Sequence, residues 1–372
     1  MPVDFSKLKD ALRLLMEATL KPLQGDRFQA TGFPDLGPAR YQLHDGTEML
    51  LVESTQSMAN RLEAVCWDEA KGDLIEDLKG LPYVRINLGE LGTTTTIQEF
   101  HRLNSPYIWE GETDSKGQEF RKALMEAIGV KEQRKKKAEK DEDDAEGKEG
   151  KEGKDVPGVL DMRKLAAAVF KFDPNSVVHG VFLEKVAGRL RLTRALSAVI
   201  EAHNVRDAGS GGVKFDRVDP TGDAKLGFGH VPFHRTEFTA EAITAYFNLD
   251  LALLSGYGLP DPATDLLIAL SLFKVRRFLD TGLRLRTACD LEMVNLCVQR
   301  PEGFCLPSSE HLAGAVKDLV KLCTEAKLFA EPPVTVIEWK PKSKPKPKKN
   351  KAEGSTAEAP EAEDENDEHT DE

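Results

Sequence analysis

Residues 131–155 read KEQRKKKAEKDEDDAEGKEGKEGKD and contain no apolar side chain larger than alanine. A stretch of that composition cannot bury enough surface to offset the entropy lost on ordering. Any core must therefore be assembled from the chain on either side, and a disordered charged insertion is expected at 131–156. A second such stretch starts at Lys340, KPKSKPKPKKNKAEGSTAEAPEAEDENDEHTDE, first Lys-Pro and then acidic. It predicts an extended arm and a solvated tail over 340–372, whose lysine block suits nucleic-acid contact and plain solubility equally. The folded material is then expected to be 1–130 followed by 157–339.

Of the 372 residues 40% are apolar, which is ample for a core. The net charge of −12 argues against a protein coated in nucleic acid, although a net figure averages over segments that never meet a partner. The five cysteines, at 66, 289, 297, 305 and 323, form no C-x-x-C pair and have no histidine at zinc spacing. They read as reduced, mostly buried thiols, and no metal or other cofactor is expected. The N-terminal stretch MPVDFSKLKDALRLLMEATL carries acidic residues and lacks a long apolar region. A cytoplasmic chain with no membrane partner is the expectation.

Phe5, Leu8, Leu12, Leu15 and Met16 fall on one helical face and predict a helix over 5–20. EMLLVES reads as a buried strand running into the helix TQSMANRLEAVCW, and YVRINL and SVVHGVFL as further strands. RALSAVIEAHNV reads as a helix, and a long helix follows from about Asp261 to Asp280. After it come the strands GLRLRTA and LEMVNLCV, a helix over 309–328 and the strand VTVIEW. Strands and helices interleave without the regular alternation of a doubly wound sheet. That pattern favours an α+β fold of ferredoxin type with large insertions.

Positive charge concentrates in the middle of the chain. Residues 185–217 hold Lys185, Arg189, Arg191, Arg194, Arg206, Lys214 and Arg217 against Glu201, Asp207 and Asp216. Within them GSGGVKFDRVDPTG predicts a flexible glycine loop whose amides approach a phosphate closely, with Lys214 and Arg217 as counter-charges. Lys274, Arg276 and Arg277 add a basic helix end. In the strand LRLR, Arg284 and Arg286 share one face because side chains alternate, while Leu283 and Leu285 face the core. Such a surface suits a phosphodiester backbone; the competing reading is that each arginine pairs with one of the chain's many carboxylates. Phe215, Phe228, Phe233 and Phe238 interleave with this charge as stacking faces, Phe233 and Phe238 reading better as core.

No nucleotide-hydrolysing loop is present, since Lys214 is followed by Phe215 and the glycine spacing is wrong. His230 and His234 stand four apart, but Pro232 breaks the helix a metal pair would need. Asp216 and Asp219, or His203 as a general base at a helix end, are the candidates for cutting a phosphodiester. Nothing near them in the sequence specifies that role.

Three long segments carry a family resemblance. They are RLTRALSAVIEAHNVRDAGSGGVKFDRVDPTG, GFGHVPFHRTEFTAEAITAYFNLDLALLSGYGL and LLIALSLFKVRRFLDTGLRLRTACDLE, with LLVESTQSMANRLE and HRLNSPYI nearer the N-terminus. Together they resemble the Csb-one family, the Cas-seven-type RAMP backbone subunit of type I-U (I-G) CRISPR effector complexes, over most of residues 40–290. The resemblance implies an RRM-like palm with a thumb hairpin, polymerised as a helical filament along a CRISPR guide RNA. It also implies target DNA as a partner through guide pairing, contacts with other effector subunits, and no catalysis. The RNA-binding residues it carries over are Asn60 and Arg61 in QSMANRLE, Arg191 and Arg194 in RLTRAL, and Lys214 and Arg217 in GGVKFDR. His234 and Arg235 in PFHRTE follow, with Arg276, Arg277, Arg284 and Arg286 in KVRRFLDTGLRLR. Because some RAMP proteins cut RNA, a metal-dependent endoribonuclease using Asp216, Asp219 or His203 stands as the alternative.

Overall fold

The computed structural model describes residues 4–33, 37–110, 112–128, 161–184, 190–213, 225 and 232–341. The stretches 131–156 and 342–372 lie outside the described residues, as do Lys214, Asp216, Arg217, Asp219 and His230.

Strands β1 (Arg13–Pro22), β2 (Arg40–Gln42) and β3 (Glu48–Glu53) open the chain, and helix α1 (Thr55–Ala64) follows. Then come β4 (Tyr83–Asn87), β5 (Thr93–Thr95), β6 (Glu112–Thr113) and α2 (Ser115–Ile128). Next are α3 (Met162–Phe172), α4 (Pro174–His179) and the short pair β7 (Val181–Leu183) and β8 (Leu190–Leu192). β9 (Leu196–His203), β10 (Arg206–Val213), β11 (Pro232–Thr239) and β12 (Ala242–Asp250) lead into α5 (Asp261–Thr281). The last elements are β13 (Arg284–Arg286), β14 (Cys289–Arg300), α6 (Ser309–Glu325) and β15 (Val334–Lys340). The fold is mixed α+β.

Its centre is a seven-stranded sheet in the order β13-β14-β1-β12-β9-β3-β2, antiparallel throughout. Strands from both sides of the charged insertion thus share one sheet. A smaller sheet, β6-β15-β4-β5, pairs β15 parallel to β4, with Val334 opposite Tyr83. The main sheet buries one face under α1 and α5: Leu50, Val52, Met58, Leu62, Leu266 and Phe273 are all buried in one core. Phe247 of β12 meets Phe278 of α5 edge-on at 6.4 Å. No helix among the described residues is long and apolar enough to cross a membrane.

Two expected helices are strands, for one physical reason. Only Ser6–Lys9 of the predicted 5–20 helix is helical. From Arg13 the chain is extended, burying Leu14, Met16, Ala18 and Leu20 at period two. RALSAVIEAHNV likewise forms β9, burying Leu196, Ala198, Ile200 and Ala202. Leu-Leu-Met and Ala-Val-Ile runs satisfy the helical and the strand template at once, and pairing with neighbours on both sides decides between them. His203 therefore ends a strand, not a helix, and its Nε2 lies 3.1 Å from the Tyr246 hydroxyl.

SVVHGVFL is a strand only in its last part. Asp173 caps a short helix by accepting from the Asn175 and Ser176 amides, and Pro174 sits in its first turn. The chain then turns at Gly180, whose φ is +79°. A β-carbon there would lie 2.9 Å from Arg194 N and Leu192 O, so the position needs glycine.

The expected glycine loop is also partly regular. Residues 206–213 pair with 232–239 from Arg206 opposite Thr239 to Val213 opposite Pro232. At its root this hairpin is fastened by the Phe28 and Phe238 amides, which donate to each other's carbonyls at 2.9 and 2.8 Å. Phe238 is core, as expected. The cysteines are free thiols, Cys66, Cys289 and Cys323 buried and Cys297 and Cys305 exposed.

Candidate nucleic-acid interface

The C-terminal end of α1, the C-terminal end of α5 and β13 meet around an open groove of about 300 Å³. Arg61, Ala64, Val65, Trp67, Arg277, Thr281, Gly282 and Arg284 line it. Each element reaches this place for a local reason. Ser54 caps α1 by accepting from Ser57 N, and Met58 and Leu62, one turn apart, hold the helix on the sheet. That presentation leaves Arg61 half-exposed beside the groove. α5 stops at Gly282, where a β-carbon would meet Phe278 at 2.7 Å and Val65 at 3.0 Å. The missing side chain lets the two helix ends approach and keeps the groove open.

The arginines are held by backbone carbonyls and one buried carboxylate. Arg277 Nε donates to Val65 O at 2.8 Å, and Arg61 Nη2 donates to Leu285 O at 2.5 Å. Glu53, fully buried at the end of β3, accepts from Arg61 at 2.7 Å and also from Ser57 and Arg286. Arg286 further donates to Gln29 O and Val52 O. Leu283 and Leu285 are buried as expected, but Arg286 is an internal strut rather than a surface cation. Its strand-mate Arg284 is exposed, and its side chain has no hydrogen bond or ion pair among the described residues. Among the described residues no carboxylate lines the groove.

The remaining candidates do not gather there. Asn60 is exposed on α1. Arg194 is half-buried at the other end of that helix, donating to Thr55 O at 2.9 Å and His179 O at 3.4 Å. Burial, and then the charge of Arg102, hold its guanidinium below the usual arginine range. Thr55 and Arg61 stand about 9 Å apart along the helix axis. Arg191 is exposed on β8 and lies over the ring of Phe182 at 5.2 Å. His234 is exposed on β11, and Arg235 donates twice to Glu237, at 2.5 and 2.9 Å. Arg276 pairs with Asp280 one turn on, at 3.1 Å. For Arg61, Arg235, Arg276 and Arg286 pairing with a carboxylate is therefore what the structure displays. Lys274 is not a surface cation either: it is 1% exposed.

Lys274 belongs to a buried polar network that the sequence did not reveal. Its ammonium donates to Asn175 Oδ1 and lies 2.8 Å from His179 Nε2. Asn175 donates to Glu63 at 2.5 Å, and Arg102 donates to the two Glu63 oxygens at 2.6 and 2.7 Å. Burial holds Lys274 below the ordinary lysine range and His179 well below a free imidazole. Burial also pushes the nearby Asp173 carboxyl up to about 6. Because Glu63 lies on α1 and Lys274 on α5, the network joins the two helices that carry Arg61 and Arg277. Among the described residues no group of three or more His, Cys, Asp or Glu side chains is placed to hold a metal ion.

The fold and groove thus define an α+β protein with an arginine-lined groove beside an antiparallel sheet. The family model for CRISPR-associated protein GSU0053 matches residues 14–207, just over half of the chain, and the protein belongs to that CRISPR-associated family. Among solved structures, a chain of a CRISPR RNA-guided surveillance complex in a pre-nicking state is similar at 15% identity and a TM-score of 0.39, covering 85% of this chain and 87% of that one. Another CRISPR RNA-guided surveillance complex gives 13% identity and a TM-score of 0.33, with coverage of 83% and 84%. Thermofilum pendens Csc2 gives 9% identity and a TM-score of 0.30, with coverage of 88% and 83%. No curated protein matches the sequence.

Proposed function

We propose that this chain is a non-catalytic, cytoplasmic RNA-binding backbone subunit of a type I-U (I-G) CRISPR effector complex. In this reading copies polymerise along the guide RNA, hold its phosphates and leave its bases free to pair with target DNA, alongside other effector subunits. The observation that carries it is the groove: guanidiniums from α1, α5 and β13 converge where, among the described residues, no carboxylate lines the wall; Arg61 is matched by the buried Glu53, while Arg284 has no partner among the described residues. Such a surface neutralises phosphates without reading bases. Membership of the CRISPR-associated family supplies the guide RNA as the natural source of those phosphates.

An RRM-like palm is part of the proposal. Its support is the strand order β14-β1-β12-β9, which is fourth-first-third-second, with α1 in the first crossover and α5 in the last. The hairpin β10–β11, inserted between the second and third of these strands, is then the thumb.

Fluorescence anisotropy with labelled single-stranded RNAs of unrelated sequence tests the reading. Arg277→Ala with Arg284→Ala is expected to weaken all of them alike and to flatten the salt dependence. Unchanged affinity in a folded double variant overturns RNA binding through this groove. Metal-dependent cutting of the same RNAs by the purified protein overturns the non-catalytic assignment.

A further inference from the structure

Two N–H groups of residues lining the groove, Arg61 Nε and Trp67 Nε1, are buried and have no hydrogen-bond partner among the described residues. Trp67 is 8% exposed. The chain's other two tryptophans are satisfied: Trp109 donates to Leu103 O at 2.7 Å and Trp339 to Glu110 O at 2.9 Å. A buried donor left unmade is costly and calls for an explanation. Here the explanation lies in what lines the groove. Indole and guanidinium can only donate, and Thr281 already gives its hydroxyl proton to Arg277 O. The missing partner is an acceptor, and with three guanidiniums around it that acceptor is an anion.

We infer that the groove is a built subsite for one phosphate group, with Trp67 Nε1 and Arg61 Nε donating to its oxygens while Arg277 and Arg284 neutralise it. A tetrahedral oxyanion brings several acceptor oxygens to donors that come from different elements. Both donor atoms are closed to solvent, so seating an anion on them requires a wall side chain to move. Arg284, exposed and without a partner among the described residues, has that freedom. The subsite rests on the RNA-binding reading for the source of the phosphate; its chemistry is shared by free phosphate.

The test uses the full chain with three probes: inorganic phosphate, uridine monophosphate and a ten-nucleotide single-stranded RNA. Tryptophan emission and RNA anisotropy are read as functions of salt. RNA is expected to shift the emission of the wild type and not that of Trp67→Phe. Trp67→Phe is expected to bind RNA about five-fold more weakly with an unchanged salt slope, because a neutral donor is lost and no charge. Arg61→Lys, which keeps the charge and lacks Nε, is expected to behave the same way, and urea midpoints identify any variant that has not folded. Emission that responds to inorganic phosphate alone assigns the subsite to the free anion. A response to RNA alone assigns it to a phosphodiester within a strand. Wild-type affinity and a preserved emission response in folded Trp67→Phe overturn the subsite while leaving the arginine groove standing. RNA binding unaffected by Arg277→Ala with Arg284→Ala overturns the RNA reading instead.

Discussion

Replacing Glu63 by glutamine keeps the shape of the side chain and removes its charge. In the native protein Glu63 is 2% exposed and accepts two hydrogen bonds from Arg102, itself 7% exposed, and one from Asn175. Glutamine leaves one amide oxygen to accept from Arg102, beside the carbonyls of Phe100, at 3.4 Å, and Gly180, at 3.1 Å, but carries no charge to offset the guanidinium. An uncompensated buried guanidinium of this kind costs about 3–5 kcal/mol. That is a fifth or more of the roughly 5–15 kcal/mol that holds a domain folded. With a urea m-value of about 3 kcal/mol/M, the midpoint should fall by about 1 M or more, read by tryptophan fluorescence. A second variant, Glu63→Leu with Arg102→Met, removes both members of the buried ion pair together and is expected to recover part of the loss. If Glu63→Gln stays within about 1 kcal/mol of wild type, or the double variant is no better than the single, the network does not register α1 against α5 as argued.

Other substitutions probe separate links. Arg284→Ala should lower the slope of log affinity for single-stranded RNA against log salt by about 0.7, the share of one phosphate contact. Arg276→Ala, whose arginine is already paired with Asp280, is expected to change that slope far less; equal effects would discredit the groove. Asp173 titrates at about 6 in the fold against an ordinary 3.8. The native state therefore binds the extra proton between these values, and stability is lost as pH rises through that window. Asp173→Asn keeps the cap oxygen, so it should gain on the wild type from pH 4 to pH 7 in paired urea titrations, and a pH-independent difference would refute the buried charge. Gly180→Ala forces a side chain onto a positive φ and against Arg194 N and Leu192 O. It should cost more than about 1 kcal/mol, and a neutral effect on thermal unfolding would contradict the turn.

What the sequence disclosed and what it hid follow from how far a given interaction reaches along the chain. Helices α1, α5 and α6 were legible because capping and apolar spacing act within one turn, whereas β1 and β9 were not, because their small apolar runs fit two periods. Pairing with distant strands made the choice. The same division runs through the groove. Arg61, Arg277 and Arg284 were legible as charge, but the fate of each arginine depends on a carboxylate that spacing does not locate: Glu53 lies eight residues from Arg61 and 233 from Arg286. One cue was available. Glu53 closes the apolar run EMLLVE, and a carboxylate placed on a buried strand must have cationic or hydrogen-bonding partners inside the fold. At least one nearby arginine was therefore bound to turn inward, so counting basic residues overstates the number that face a phosphate. The quantity that matters is the set of guanidiniums left after the buried acids have been matched, and in this groove it includes Arg284, which no described carboxylate claims.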